Sequence, residues 1–237
     1  MTGQPEREIG MATLEVLNIH THAALQMAAP TSGERHFVQV VLDEFESAGA
    51  QFPILFCKNA ETGDFYAGAM LGLKPGENLV RDEPDGEQAN RLHDVVREGF
   101  YIAEDAIAID PEHPRFGVGG GSPVFETDGD ATPALRSVQR ALGQLHAGVT
   151  RTNAFIARLL SLKLVEPIDL SFSFDDGERL SVEGLYTISR DSLAELDDGV
   201  VLDLFRSGDL ERIHAVIASL QHIRRLARLR NDRVAAG

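Results

Sequence analysis

A single cysteine and no tryptophan occur among the 237 residues, and basic side chains are few, 22 Lys and Arg against 37 Asp and Glu. One thiol excludes an internal disulfide framework and fits a reducing compartment. Cys57 lies in an apolar stretch, which reads as a buried, inert thiol rather than a nucleophile in an electropositive, open setting. The net charge of −15 argues against general binding to nucleic acid or to an anionic membrane, because both need a basic surface; solubility is the plain consequence. No run approaches the roughly 18 apolar residues of a membrane span, and the opening MTGQPEREIGMATLEV lacks the apolar core of a signal peptide. The cytoplasm is therefore the expected location. No repeat of about 20 to 50 residues is visible, which argues against a solenoid or propeller. What remains is a chain that is 43% hydrophobic, enough for an ordinary core.

The stretch from Phe52 to Val80, FPILFCKNAETGDFYAGAMLGLKPGENLV, organises the rest. Strand side chains alternate, so Phe52, Ile54 and Phe56 share one face and Pro53, Leu55 and Cys57 the other. Both faces are apolar, which predicts a strand covered on both sides. Glu61 to Asp64 has the composition of a hairpin loop, and Phe65 to Leu73 returns as a second strand. Gly68 and Gly72 within it predict close backbone approach or a bulge. Lys74-Pro75-Gly76-Glu77 fits a type II turn, since proline presets φ at its second position and glycine accepts φ > 0 at its third.

Before this stretch, Leu14, Val16 and Ile19 suggest a short strand, and His22 to Met27 a helical turn. His36 to Leu42 reads as a strand running into a more helical Asp43 to Ala48. After it, Arg81 to Gln88 reads as a surface loop and Ala89 to Gly99 as a helix with Leu92, Val95 and Val96 inward. Short strands are predicted at Tyr101 to Ala103 and Ala106 to Ile109. Thr132-Pro133 opens the longest helix, a hydroxyl cap followed by Pro at the first helical position. Its seam of Leu135, Val138, Leu142, Leu145, Val149, Thr152, Ile156 and Leu159 can be buried within the chain or pair with a second copy, and a homo-oligomer is expected. Ile168, Leu170, Phe172 and Phe174 alternate with polar residues, Asp175-Asp176-Gly177 turns, and Leu180, Val182, Tyr186 and Ile188 answer: a β-hairpin. Ser189 or Asp191 caps a short helix, Val200 to Phe205 is helical, and Asp209 caps a last helix bearing Ile213, Val216, Ile217, Leu220, Ile223 and Leu226. The expectation is one α+β domain over residues 12–232, a β-rich amino-terminal half covered by carboxy-terminal helices with an inserted β-hairpin, between flexible ends at 1–11 and 233–237.

Chemistry is thinly signalled. His20 and His22 would point the same way on a strand, a geometry able to hold a metal ion, and His113 with Asp110 and Glu112 could add ligands. A metal-dependent enzyme with a His and carboxylate site is the alternative reading these residues support. Gly117 to Gly121 lacks the lysine and hydroxyl of a phosphate loop and reads as a flexible connection. Neither Ser122 nor Ser192 sits in a nucleophile elbow. Arg224, Arg225, Arg228 and Arg230 gather in the last helix, where they either meet an anionic partner or offset the negative end of the helix dipole.

Several segments together resemble the bacterial SapC family: NIHTHAAL at 18–25, EFESAGAQFPILF at 44–56, MLGLKPGENL at 70–79, VREGF at 96–100, GLYTI at 184–188 and the end from Ile213 to Leu226. The resemblance covers nearly the whole chain from about Ala12, and the pairing of FPILF with LGLKPGENL is its most specific part. It implies a domain named through association with surface-layer loci and brings no reaction with it. A Gly-Trp and Tyr-x-Pro pattern expected after Asn78 is replaced here by EPDGEQANRLHDVVREGF, so a site lined by that pattern would differ in this chain. The polar residues that match are His22, Glu44, Asn78 and Arg97, which become candidates for ligand binding. Each also has a structural reading: Asn78 can close the turn, and Glu44 can pair with Arg97. The function implied is that of an accessory protein that binds an unidentified protein or small molecule, with no cofactor and no nucleic acid.

Overall fold

Turn chemistry and side-chain alternation predict most of the regular elements the chain forms. A computed structural model describes residues 14–117 and 121–236; the expected loose amino terminus at 1–11 and the centre of the glycine run, 118–120, lie outside the described residues. In chain order come β1 (Glu15–Val16), α1 (Ile19–His22), β2 (Gln26–Met27), β3 (Phe37–Gln39), a 3-10 turn at Leu42–Glu44, α2 (Phe45–Gly49), β4 (Ile54–Lys58) and β5 (Phe65–Met70). They are followed by α3 (Gly86–Ala89), α4 (His93–Val96), β6 (Phe100–Ala103), β7 (Ala106–Ile109), β8 (Ser122–Pro123) and α5 (Pro133–Ser161). The last part holds β9 (Val165–Ser173), β10 (Arg179–Ile188), α6 (Arg190–Ala194), α7 (Asp198–Ser207), α8 (Asp209–Ser219) and α9 (His222–Ala236). The fold is α+β, and among the described residues no sheet closes into a barrel. No helix among them is long and apolar enough to cross a membrane.

The described residues fall into two units, 14–31 with 93–146 and 32–92 with 147–236. The first holds the antiparallel sheet β1-β7-β6 and the pair β2-β8. Its core gathers Met27, Phe100, Ile109, Phe116 and Val124 with Leu135, Val138 and Leu142 from the first half of α5. The cap is as predicted: Thr132 Oγ1 accepts from the Leu135 N–H at 3.2 Å.

In the second unit five strands run in the order β3-β5-β4-β10-β9. The strand covered on both sides is β4, central in that sheet, with Ile54, Leu55 and Phe56 at 0% exposure. The late hairpin stands between α5 and α6 in the chain, as expected, and β10 joins it to the central sheet by pairing with β4 at Leu185 with Cys57 and Tyr186 with Phe56. Helices from the later half cover the early strands, as expected. Ser219 at the end of α8 shows this directly, its Oγ accepting from the Ile54 N–H at 2.9 Å. Phe155 of α5 meets Phe45 edge to face, with ring centroids 5.9 Å apart. Burial raises the Cys57 thiol to about 11, so it is as inert as its apolar neighbours suggest.

Two predicted helices differ. Within the stretch 89–99 only His93–Val96 forms a helix, α4, while α3 at Gly86–Ala89 falls largely in the expected loop; Leu92, Val95 and Val96 are buried as expected. Along the seam of α5, Leu135, Val138, Leu142, Thr152, Ile156 and Leu159 are buried, while Leu145 and Val149 at its middle are half-buried. The last predicted helix is two, α8 and α9, separated at Leu220 and Gln221. Its cap is Gly208, with φ +77°, and Asp209 is the first helical residue, its carboxylate accepting from Arg158 at 2.5 Å. Residues 233–236, expected to be loose, continue α9.

Gly68 and Gly72 mark close approaches. A Cβ on Gly68 would sit 2.0 Å from the Phe37 ring, and one on Gly72 only 1.9 Å from the Glu77 backbone oxygen. A ring can rotate, whereas a carbonyl moves only with its turn. Gly72→Ala is thus expected to cost about 3 kcal/mol, at the upper end for overpacking. Gly76→Ala, at φ +75° with open space around it, should cost about 1 kcal/mol, the left-handed penalty alone. Urea midpoints for the two variants check the ranking, and equal midpoints would show that the turn yields freely.

Candidate anion-binding cleft

The residues nominated by sequence are held by local structure. His22 ends α1 and is buried, its Nδ1 3.0 Å from Thr21 Oγ1 and 3.2 Å from the Asn18 N–H, its Nε2 3.3 Å from Glu15 Oε2. Asn18 caps the same turn, accepting from the N–H groups of His20 and Thr21 at 3.1 Å each. Because this segment is helical rather than extended, His20 and His22 project about 200° apart, not side by side. His20 is exposed while His22 is buried. Among the described residues no group of three or more His, Cys, Asp or Glu side chains is placed to hold a metal ion.

Glu44 is buried, and its Oε2 accepts from the Val41 N–H at 3.1 Å. Asn78, 1% exposed, donates through Nδ2 to Ser32 Oγ and to the Gly33 carbonyl, both at 2.9 Å, and its Oδ1 accepts from the Val80 N–H at 3.1 Å. It closes the turn after Gly76 and ties it to the loop before β3. Arg97 donates through Nε to Asp94 Oδ1 at 2.9 Å and lies over the Tyr101 ring. His22 and Arg97 belong to the first unit, Glu44 and Asn78 to the second. Each side chain is satisfied where it stands by groups of its own unit.

The arginines of the last helix behave otherwise. Since that helix begins at His222 and runs to Ala236, Arg224 and Arg225 lie in its first turn, not its last. Cations there face the positive end of the dipole, so helix electrostatics do not account for them. One side of α9 is committed to structure. Arg230, 3% exposed, bonds Glu77 and, at 2.6 Å, Glu178, with its guanidinium 4.7 Å from the Phe174 ring centroid. Arg225 pairs with Asp85, and Arg233 donates to the Asn78 carbonyl at 3.1 Å.

The other side opens onto a cleft of about 630 Å3 lined by Arg190, Ile217, Ala218, Leu220, Gln221, Arg224, Arg225 and Arg228. The interruption between α8 and α9 supplies its apolar wall, and Arg190 enters from the start of α6. Arg190, Arg224 and Arg228 are exposed and have no ion-pair partner among the described residues. The lining carries four guanidiniums and no carboxylate on a chain whose net charge is −15, and one of the four, Arg225, is paired with Asp85. Such a surface concentrates anions by focusing the field in a concave, partly apolar wall. Sequence reasoning found Arg224, Arg225 and Arg228 but not Arg190, which stands alone after the hairpin.

Comparison with family models matches residues 17–226 to SapC. The chain belongs to the SapC family. The matched span holds every residue lining the cleft except Arg228, which lies two residues beyond it. Comparison with curated proteins and with solved structures finds no match to this SapC member.

Proposed function

We propose that this chain is a binding protein for a small anionic ligand, which it holds in the arginine-lined cleft between α6, α8 and α9. The observation that carries the reading is the trio Arg190, Arg224 and Arg228, without carboxylate partners among the described residues of a strongly acidic chain that pairs its other cleft arginine. Unpaired guanidiniums close together repel one another, and an anion removes that repulsion while accepting their planar donor forks. A volume of about 630 Å3 is within the range of small-molecule sites, which supports a small ligand.

Sulfate compared with chloride at matched ionic strength tests the reading through thermal unfolding of the full chain. A ligand at ten times its Kd stabilises by about 1.4 kcal/mol, which is easily read as a raised midpoint. The rise is expected in the unaltered chain and absent from Arg224→Gln with Arg228→Gln. Because both side chains are exposed and unpaired, the variant should fold with an undiminished midpoint in chloride. An equal sulfate response in both proteins would remove the cleft as the cause.

A further inference from the structure

Resting on the reading of the cleft as an anion site, we infer that its ligand is a soluble organic phosphate monoester, a compact dianion attached to an apolar group. Charge is the first ground. Among the described residues Arg190, Arg224 and Arg228 have no counter-ion, so a monocarboxylate would leave two of the three uncompensated, whereas a phosphate monoester carries about −1.5 to −2 at pH 7.

Donor geometry is the second ground. Arg224 and Arg228 are one helical turn apart on α9, so their Cβ atoms are about 5 to 6 Å apart and their forks can reach one group. Arg190 comes from a different element, at the start of α6. Donors converging from two elements suit a tetrahedral group with three terminal oxygens better than a flat carboxylate, which a single fork satisfies.

The remaining wall supplies the third ground. Ile217, Ala218 and Leu220 present apolar surface beside the guanidiniums, and the space exceeds what a bare phosphoryl group fills. An apolar substituent on the ester would cover that wall and gain from leaving water. Larger phosphate carriers fit poorly. A nucleic acid or an anionic bilayer would bring many negative charges against a chain of −15, whereas a small ester meets only the cleft.

Calorimetric titration of the full chain at pH 7.5 and fixed ionic strength with phenyl phosphate, inorganic phosphate and benzenesulfonate tests each part. Phenyl phosphate is expected to bind at least about tenfold more tightly than benzenesulfonate, its monoanionic counterpart, a gap of about 1.4 kcal/mol. It should also exceed inorganic phosphate, which lacks the apolar group. Arg224→Gln with Arg228→Gln should abolish the preference for the dianion. Equal affinity for phenyl phosphate and benzenesulfonate would overturn the phosphate assignment while leaving an anion site in place. No binding of any of the three, or binding unchanged in the variant, would overturn the underlying reading as well. Cosedimentation with phosphatidic acid vesicles at physiological salt would overturn the soluble assignment.

Discussion

Replacing Arg230 with Ala is expected to destabilise the chain by about 3 to 5 kcal/mol, because a buried carboxylate would lose its counter-charge. The Arg230 and Glu77 side chains are 4% and 12% exposed, so little water can reach either to replace the lost partner. Glu178, at 39%, is solvated enough that its own replacement should matter little. The Arg230 stem and guanidinium also cover Phe174, which adds lost packing to lost charge. Urea unfolding should place Arg230→Ala far below Glu178→Gln. Arg230→Met with Glu77→Gln should recover part of the loss, since removing both charges leaves no orphan. A change in Arg230→Ala within about 0.5 kcal/mol would mean the cluster acts as an ordinary surface pair.

Arg115 should show the second largest effect, about 3 kcal/mol on replacement with Ala, from charge-assisted bonds to carbonyls that would be left unmet. The side chain is buried and donates to the carbonyls of Val96 at 2.6 Å, Glu98 at 2.8 Å and Ala28 at 3.2 Å. Its guanidinium lies 5.4 Å from the Phe100 ring centroid, in the core of the first unit. Desolvation pulls its pKa below the usual arginine value, against the opposing field of Glu98. The residue is therefore held by carbonyl geometry more than by a partner charge. Arg115→Lys keeps the charge but lacks the fork, and it should restore only a minor share of the stability. Faster amide exchange around Phe116 and Val124 would report the local loosening. Full rescue by lysine would show that charge, not geometry, is what the site requires.

Local chemistry was legible wherever a few neighbouring residues set the backbone. Lys74 to Glu77 turns with Gly76 at φ +75°, Asp175 to Gly177 closes the hairpin with Gly177 at φ +85°, and Thr132 caps α5. The close approach at Gly68 was readable because glycine inside a strand marks a place where a side chain would not fit, and Gly72 lies just past the end of β5. His20 and His22 misled for the same local reason in reverse. Asn18 caps two N–H groups and starts a helical turn, which overrides the extended reading and turns the two rings apart.

By itself, then, the sequence determined the α+β class, the positions of the hairpins and turns, and membership of the SapC family. Tertiary structure decided the partner of the late hairpin, the interruption at Leu220 and Gln221, and the division of the arginines into paired and unpaired. The reason is separation along the chain. Asp85 and Glu77 lie 140 and 153 residues from Arg225 and Arg230, too far for any local pattern to reveal which guanidinium each carboxylate takes. An apolar seam, moreover, keeps its spacing across a break between two helices, so periodicity alone draws one helix where packing makes two and leaves a cleft at the join.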